Sequence, residues 1–140
     1  MSVLLDTNIL SELRKGAKAN SRVRTWFDGV APEEIYLSVL AIGELRRGVE
    51  LVRRRDSRQA DALERWLSRV VKDHEERIQL VDGAVAEQWG RLTAMRPGSV
   101  VDTLMAATAL VHGFVLVTRN VKDVAWTNVR YLNPFEVGQN

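Results

Sequence analysis

Val3-Leu4-Leu5-Asp6-Thr7-Asn8 reads as an apolar strand that stops on a carboxylate, and Ile9-Leu10-Ser11-Glu12-Leu13 carries on from it as a helix. In a parallel sheet the carboxyl ends of the strands face the crevice where ligands bind, so an acid placed there projects into a cleft rather than into the core. Asp is also a favoured helix N-cap, and Asp-Thr-Asn before an apolar helix looks the same if Asp6 only satisfies orphan N–H groups. What shifts the balance is that further acids recur at equivalent places later in the chain.

Working outward from that stretch, short apolar strands alternate with longer amphipathic segments from end to end. The pattern predicts an α/β fold, with a central, mainly parallel sheet flanked by helices. Strands are expected over 3–5, 35–37, 78–80, 115–117 and 129–131. Ile42, Leu45, Val49 and Val52 recur at helical steps, as do Leu63, Trp66, Leu67, Val70 and Val71. Separated by Arg53-Arg54-Arg55-Asp56-Ser57, these two stripes predict a helical hairpin. Such stripes are ordinarily core or subunit contact, and Trp66 in one of them gives no ground for a cofactor box. A further helix is expected after Asp82, with Val85, Trp89 and Leu92 on one side, ending before the breaker Arg96-Pro97-Gly98. Another runs over 101–112. Without repeats, low-complexity segments or linkers, the 140 residues read as one domain, 1–140.

Composition narrows the function classes. With 46% hydrophobic and 27% charged residues the chain is globular, and a net charge of +2 does not by itself compel a nucleic-acid partner. Distribution matters more than the sum. Between Arg46 and Arg58 six arginines stand against Glu50 and Asp56, which reads either as a solvated helical face and turn or as a phosphate-contacting patch. The absence of cysteine excludes disulfides, thiolate metal sites and a Cys nucleophile, and fits a reducing cytoplasm. The opening residues lack a basic region followed by a long apolar core, and no apolar run approaches about 18 residues. Neither export by a standard signal nor a membrane span is expected.

Glu44 lies inside the helix after the second strand, about a turn and a half beyond a plausible N-cap, Ser38. Its neighbours Leu40-Ala41-Ile42-Gly43 and Leu45 are apolar or small, so Glu44 is expected where the apolar face gives out; an ordinary surface Glu is the alternative. In Ser99-Val100-Val101-Asp102-Thr103 an acid opens a small-residue helix whose N-terminus would face the same crevice. Stabilisation of the helix dipole alone, worth under about 1 kcal/mol, would also explain it. Val115-Leu116-Val117-Thr118-Arg119-Asn120 repeats the opening logic of a strand ending in polar groups. Three converging carboxylates repel one another: two charges about 5 Å apart cost roughly 3 kcal/mol at an effective dielectric near 20. Such a cluster needs shared protons or a bound cation. An all-oxygen ligand set, with His74 and His112 outside any ligand-like spacing, favours Mg²⁺ or Mn²⁺ over Zn²⁺.

These residues resemble the PIN-domain ribonucleases, and within them the VapC-like toxins of bacterial toxin–antitoxin pairs, including the FitB-like branch. The resemblance spans nearly the whole chain. It rests on Leu4-Leu5-Asp6-Thr7-Asn8, Leu37-Ser38 through Gly43-Glu44-Leu45-Arg46-Arg47-Gly48, Asp102 with Ala106-Ala107-Thr108-Ala109, Val117-Thr118-Arg119-Asn120 and Asn133-Pro134-Phe135. It implies the PIN fold, Mg²⁺- or Mn²⁺-dependent cleavage of RNA, a homodimer within a larger toxin–antitoxin complex, and a VapB-like antitoxin that blocks an acidic pocket. Asp6 and Asp102 match the family's principal metal-binding acids, and Glu44 a third acid that acts on the metal through water. Thr118 matches a hydroxyl that hydrogen-bonds within the site, with Thr7 and Asn8 as supporting polar positions. One departure stands out: many relatives carry a fourth acid where this chain has Asn120. Asp123, three residues on, replaces it if that segment makes a helical turn, and a second metal depends on this.

The leading expectation is that Asp6, Glu44 and Asp102 hold one divalent cation for attack of water on an RNA phosphodiester, with Glu44 or a metal hydroxide as base. Arg119, Arg46 and Arg47 are candidates for holding the RNA backbone. The apolar stripes of the hairpin and its basic turn suggest a groove for an amphipathic antitoxin helix. A phosphatase with Asp6 as nucleophile is a rival, but it needs a second Asp where Asn8 stands. A non-catalytic module whose acids merely cap helices is another, and metal titration separates it from the enzyme.

Overall fold

Ile35, Leu37 and all of Val3-Leu4-Leu5 are buried, so the central strands are apolar on both faces, as a sheet covered on both sides requires. The computed structural model describes residues 1–136. Its strands are β1 (Val3–Leu5), β2 (Ile35–Ser38), β3 (Ile78–Gln79), β4 (Val115–Val117) and β5 (Tyr131–Leu132), in the order β3-β2-β1-β4-β5. Every pairing is parallel, with Val3 opposite both Ile35 and Val115. Two strand boundaries differ from expectation. β3 stops at Gln79 because Leu80 turns out to solvent. β5 begins at Tyr131 because Asn128 adopts a left-handed conformation (φ 66°) and Val129 is drawn into the core before edge pairing starts.

Among the described residues the connecting helices are α1 (Thr7–Leu13), α2 (Ser21–Asp28), α3 (Val39–Arg53), α4 (Ser57–Asp73), α5 (Gly83–Met95), α6 (Val100–His112) and α7 (Val121–Val124). The right-handed rule for parallel crossovers assigns α1 to α4 to one face of the sheet and α5 to α7 to the other, and the helices pack together in those two groups. α3 and α4 form the expected hairpin, closed by Ala41, Leu45 and Val49 against Ala60, Leu67 and Val70, all buried. Its turn ends at Asp56, whose carboxylate accepts from Gln59 N–H at 3.0 Å as the cap of α4. In α6, Ala106, Ala107 and Ala109 are fully buried, and these small side chains let the helix lie close to the sheet. Gly113, at φ 73°, then ends α6 in a left-handed turn that disfavours a Cβ.

The chain moves outward from β1 to β2 and β3, then returns to β4 on the other side of β1. That reversal opens a crevice at the carboxyl ends of β1 and β4, the place where open α/β sheets bind ligands.

Candidate functional site

Asp6 sits in that crevice. Its backbone N–H still pairs with Val117 O at 2.9 Å, and its side chain caps α1 by accepting from Thr7 N–H at 2.7 Å. Capping and projection into the crevice therefore coexist: Oδ1 serves the helix, while Oδ2 faces β4. There Thr118, fully buried, donates its hydroxyl to Asp6 Oδ2 at 2.7 Å, and Asn8 donates its amide to the same oxygen at 3.3 Å. Thr118 Oγ1 in turn accepts from Asn120 N–H at 3.0 Å, and Asn8 Oδ1 accepts from Arg119 N–H at 3.3 Å. Asn8 thus ties the ends of β1 and β4 together as an amide, which is not a general-acid role.

Glu44 comes from the second turn of α3, which starts on the buried Ser38; the Ser38 hydroxyl accepts from Leu40 N–H at 3.0 Å. The Glu44 carboxylate is exposed and accepts the Thr7 hydroxyl at 2.5 Å, so Thr7 joins Glu44 to the strand end that carries Asp6. Asp102 arrives from the opposite layer. It is half-buried in the first turn of α6, behind the cap Ser99, and so lies at the helix end that favours negative charge.

The charges of these acids act on one another. Burial pushes the Asp6 carboxyl above its ordinary range, the hydrogen bonds from Thr118 and Thr7 pull it back, and the charge on Glu44 pushes it up again. Burial likewise raises Asp102, helped by repulsion from Asp6, Asp123 and Glu44. Asp123 is exposed on the single turn of α7, yet near enough to act on Asp102, so the segment does form the helical turn that brings this acid toward the site. Asn120 precedes that turn, exposed, and its side chain makes no capping bond.

Among the described residues no group of three or more His, Cys, Asp or Glu side chains is placed to hold a metal ion. Mg²⁺ does not require one, because it keeps most of its waters and is commonly held by one or two carboxylates. Oxygen-only donors, two carboxyls raised by burial and by the charge of neighbouring acids, and an exposed third acid fit a hard divalent cation surrounded by water.

The arginines divide differently from the sequence reading. Arg46 is tied to Glu50 Oε2 at 3.0 Å and Glu64 Oε1 at 2.9 Å, and Arg53 to Asp61 at 2.9 Å. Two of the six arginines of the Arg46 to Arg58 group, Arg46 and Arg53, therefore staple the hairpin. Arg47 is exposed on α3, and Arg119 lies over the Phe135 ring with 4.4 Å to its centroid. Between α1, α3 and α4, beginning at Thr7 and Glu44, runs a groove that includes Arg14 and Trp66, neither of which the sequence reading singled out as functional.

Comparison with known proteins agrees with this geometry. The family profile described as PIN domain matches residues 3–123. The VapC ribonuclease Y4jK of Sinorhizobium fredii is 30% identical over 139 residues, covering 96% of this chain and 98% of the relative. Toxin FitB of Neisseria gonorrhoeae is also 30% identical, covering 95% of this chain and 98% of its own length. The crystal structure of FitAcB from the same organism superposes with a TM-score of 0.87 at 29% identity, covering 96% of this chain and 99% of that one.

Proposed function

The chain belongs to the PIN-domain family, and from that premise we propose that it is the toxin of a type II toxin–antitoxin pair. It is a Mg²⁺- or Mn²⁺-dependent ribonuclease that cleaves RNA phosphodiester bonds and is neutralised by a VapB-like antitoxin. What supports this reading is the placement of Asp6 at the end of β1 and of Asp102 in the first turn of α6, with the Glu44 carboxylate joined to the strand end that carries Asp6 through the Thr7 hydroxyl.

Each residue has a role its surroundings support. Asp6 and Asp102 are the carboxylates that would hold the cation. When bound, that ion supplies positive charge that polarises the scissile phosphoryl group and offsets the charge developing on it. Thr118 and Asn8 fix Asp6 in one orientation, so little freedom remains to be lost when RNA arrives. Glu44, exposed to water and positioned by the Thr7 hydroxyl, takes the proton of the attacking water as general base. Asp123 stands in for the acid absent at position 120, and Arg119 at the rim, with the exposed Arg47, contacts the RNA backbone.

The partner surface is separate. A cavity of about 670 Å³ on the outside of the hairpin, walled by Val39, Ile42, Leu67 and Val71, suits the apolar face of an antitoxin helix. No described helix is long and apolar enough to cross a membrane. We place the protein in the cytoplasm as a single-domain, homodimeric toxin within a larger complex.

The test is to incubate antitoxin-free protein with total cellular RNA in Mg²⁺, in Mn²⁺ and in EDTA, beside Asp102→Asn. Discrete fragments lost in EDTA and in the variant are expected. Equal cleavage by Asp102→Asn would remove the assignment.

A further inference from the structure

The groove that begins at the acids does not end near them. A cavity of about 210 Å³ has Thr7 and Glu44 at one end, and a second of about 230 Å³ continues it toward Arg69. Both are walled by Arg14, Leu63 and Trp66, so the two adjoin across these side chains as a divided trough. Thr7, Ser11 and Arg14 follow one face of α1, which sets Arg14 roughly 10 Å along the helix axis from the acid end.

Three features of its walls bear on what it holds. Arg14 and Arg69 are exposed and join no ion pair among the described residues, whereas Arg46 and Arg53 are neutralised by carboxylates. Trp66 is only half-buried and helps wall both cavities, which leaves part of its ring open to an occupant. Gly48 contributes to the wall from mid-helix in α3, and a Cβ built there would meet no atom within 4 Å. That position opens onto free space, so a larger side chain there displaces no neighbour.

Resting on the ribonuclease reading, we propose that this trough is the subsite for single-stranded RNA flanking the cleaved bond: a base stacks on Trp66 while Arg14 and Arg69 hold the phosphates on either side of it. An aromatic platform between free cations is how proteins bind single strands without a double helix to grip. Charge decides between RNA and a protein segment. Two free guanidiniums attract a polyanion and repel the basic peptide that an acidic crevice would otherwise draw in.

The experiment uses the full antitoxin-free chain and a short fluorescein-labelled oligoribonucleotide of mixed sequence, in EDTA so that it is not cut. Trp66→Leu, which keeps an apolar side chain in the wall, should weaken binding from about fivefold to about a hundredfold, the range for losing one base–aromatic stack. Gly48→Leu removes no contact and fills the trough, and it should weaken binding to a similar degree with no fall in thermal stability. Arg14→Gln with Arg69→Gln should lower the slope of log affinity against log salt by about 1.4, for two lost phosphate contacts on a single strand. Parental affinity and salt slope in all these variants would overturn the subsite, as would loss of antitoxin binding with RNA binding intact. Failure of the ribonuclease reading looks different, because the parent would then leave RNA uncut in Mg²⁺.

Discussion

Replacing Thr118 with Val removes one hydroxyl from a fully buried position and leaves the shape nearly unchanged. Asp6, 6% exposed, then loses its shortest side-chain partner, at 2.7 Å, with little water available to take over. A hydrogen bond to an ionised group contributes about 1.5–3 kcal/mol. The N–H of Asn120 also loses its acceptor, but Asn120 is exposed and can turn to solvent, so it adds little. At roughly 4 °C per kcal/mol for a chain of this length, Tm should fall by about 6–12 °C in EDTA near pH 7.5. The pH dependence tests the cause. Asp6 is raised in the folded protein, so the folded state binds more protons than the unfolded one between the ordinary carboxylate pKa and the folded value. The cost of its ionisation is therefore present above that window and fades as pH falls through it. Thr118 is the largest influence pulling Asp6 down, so the variant pushes Asp6 higher still. The gap between parent and variant must then be widest at neutral pH and shrink in acid toward the roughly 1 kcal/mol of a neutral hydrogen bond. Thr118→Ser keeps the hydroxyl and should lose only a methyl group's worth, about 1 kcal/mol, at every pH. Denaturant melts of the three proteins at neutral pH and near pH 4.5 decide it. A gap that is constant, or that grows in acid, would refute the argument.

Asp102→Asn removes a charge repelled by Asp6, Asp123 and Glu44, so in EDTA at pH 7 it should raise stability by under about 1 kcal/mol, the lost interaction with the α6 N-terminus offsetting part of the gain, while RNA cleavage falls at least a hundredfold. A lower melting temperature than the parent would contradict this. Ser38→Ala deletes the buried cap of α3 and should cost about 1–2 kcal/mol in urea denaturation. Gly113→Ala places a Cβ on a left-handed residue and should cost about 1 kcal/mol, read in the same assay.

How much of this was legible in the chain depended on range. Asp6, Ser38 and Asp102 were readable because each announces itself locally, as a polar residue where an apolar strand ends or a helix begins, and the structure puts all three at such junctions. The partners of those groups were not. Nothing near Thr7 says that its hydroxyl reaches Glu44, 37 residues away, and nothing near Arg46 says that Glu64, across the hairpin, neutralises it. Trp66 shows the limit of periodicity. Its helical spacing with Leu63 and Val70 marks a face turned inward, and a core contact and the wall of a groove share that spacing. Asp123 was the intermediate case, since its approach to Asp102 depended on a single turn of α7 forming.

The two charge patterns on this face are complementary, and their order of action follows. Without a cation, an RNA phosphate entering the crevice meets Asp6, Glu44 and Asp102 together, so the trough's arginines attract the strand while the crevice repels it. A divalent ion offsets most of that negative charge, and does so at the crevice alone. Mg²⁺ at constant ionic strength should therefore tighten RNA binding, although added divalent cations ordinarily weaken protein–RNA association by competing for the phosphates. Glu44→Gln makes this measurable, since it lacks the proposed base and retains Asp6 and Asp102, so the RNA survives titration. Its affinity for the labelled oligoribonucleotide should rise severalfold with Mg²⁺, and the rise should vanish when Asp102→Asn is added. Affinity that falls with Mg²⁺ in both proteins would mean that these acids do not receive the cation through which RNA is held.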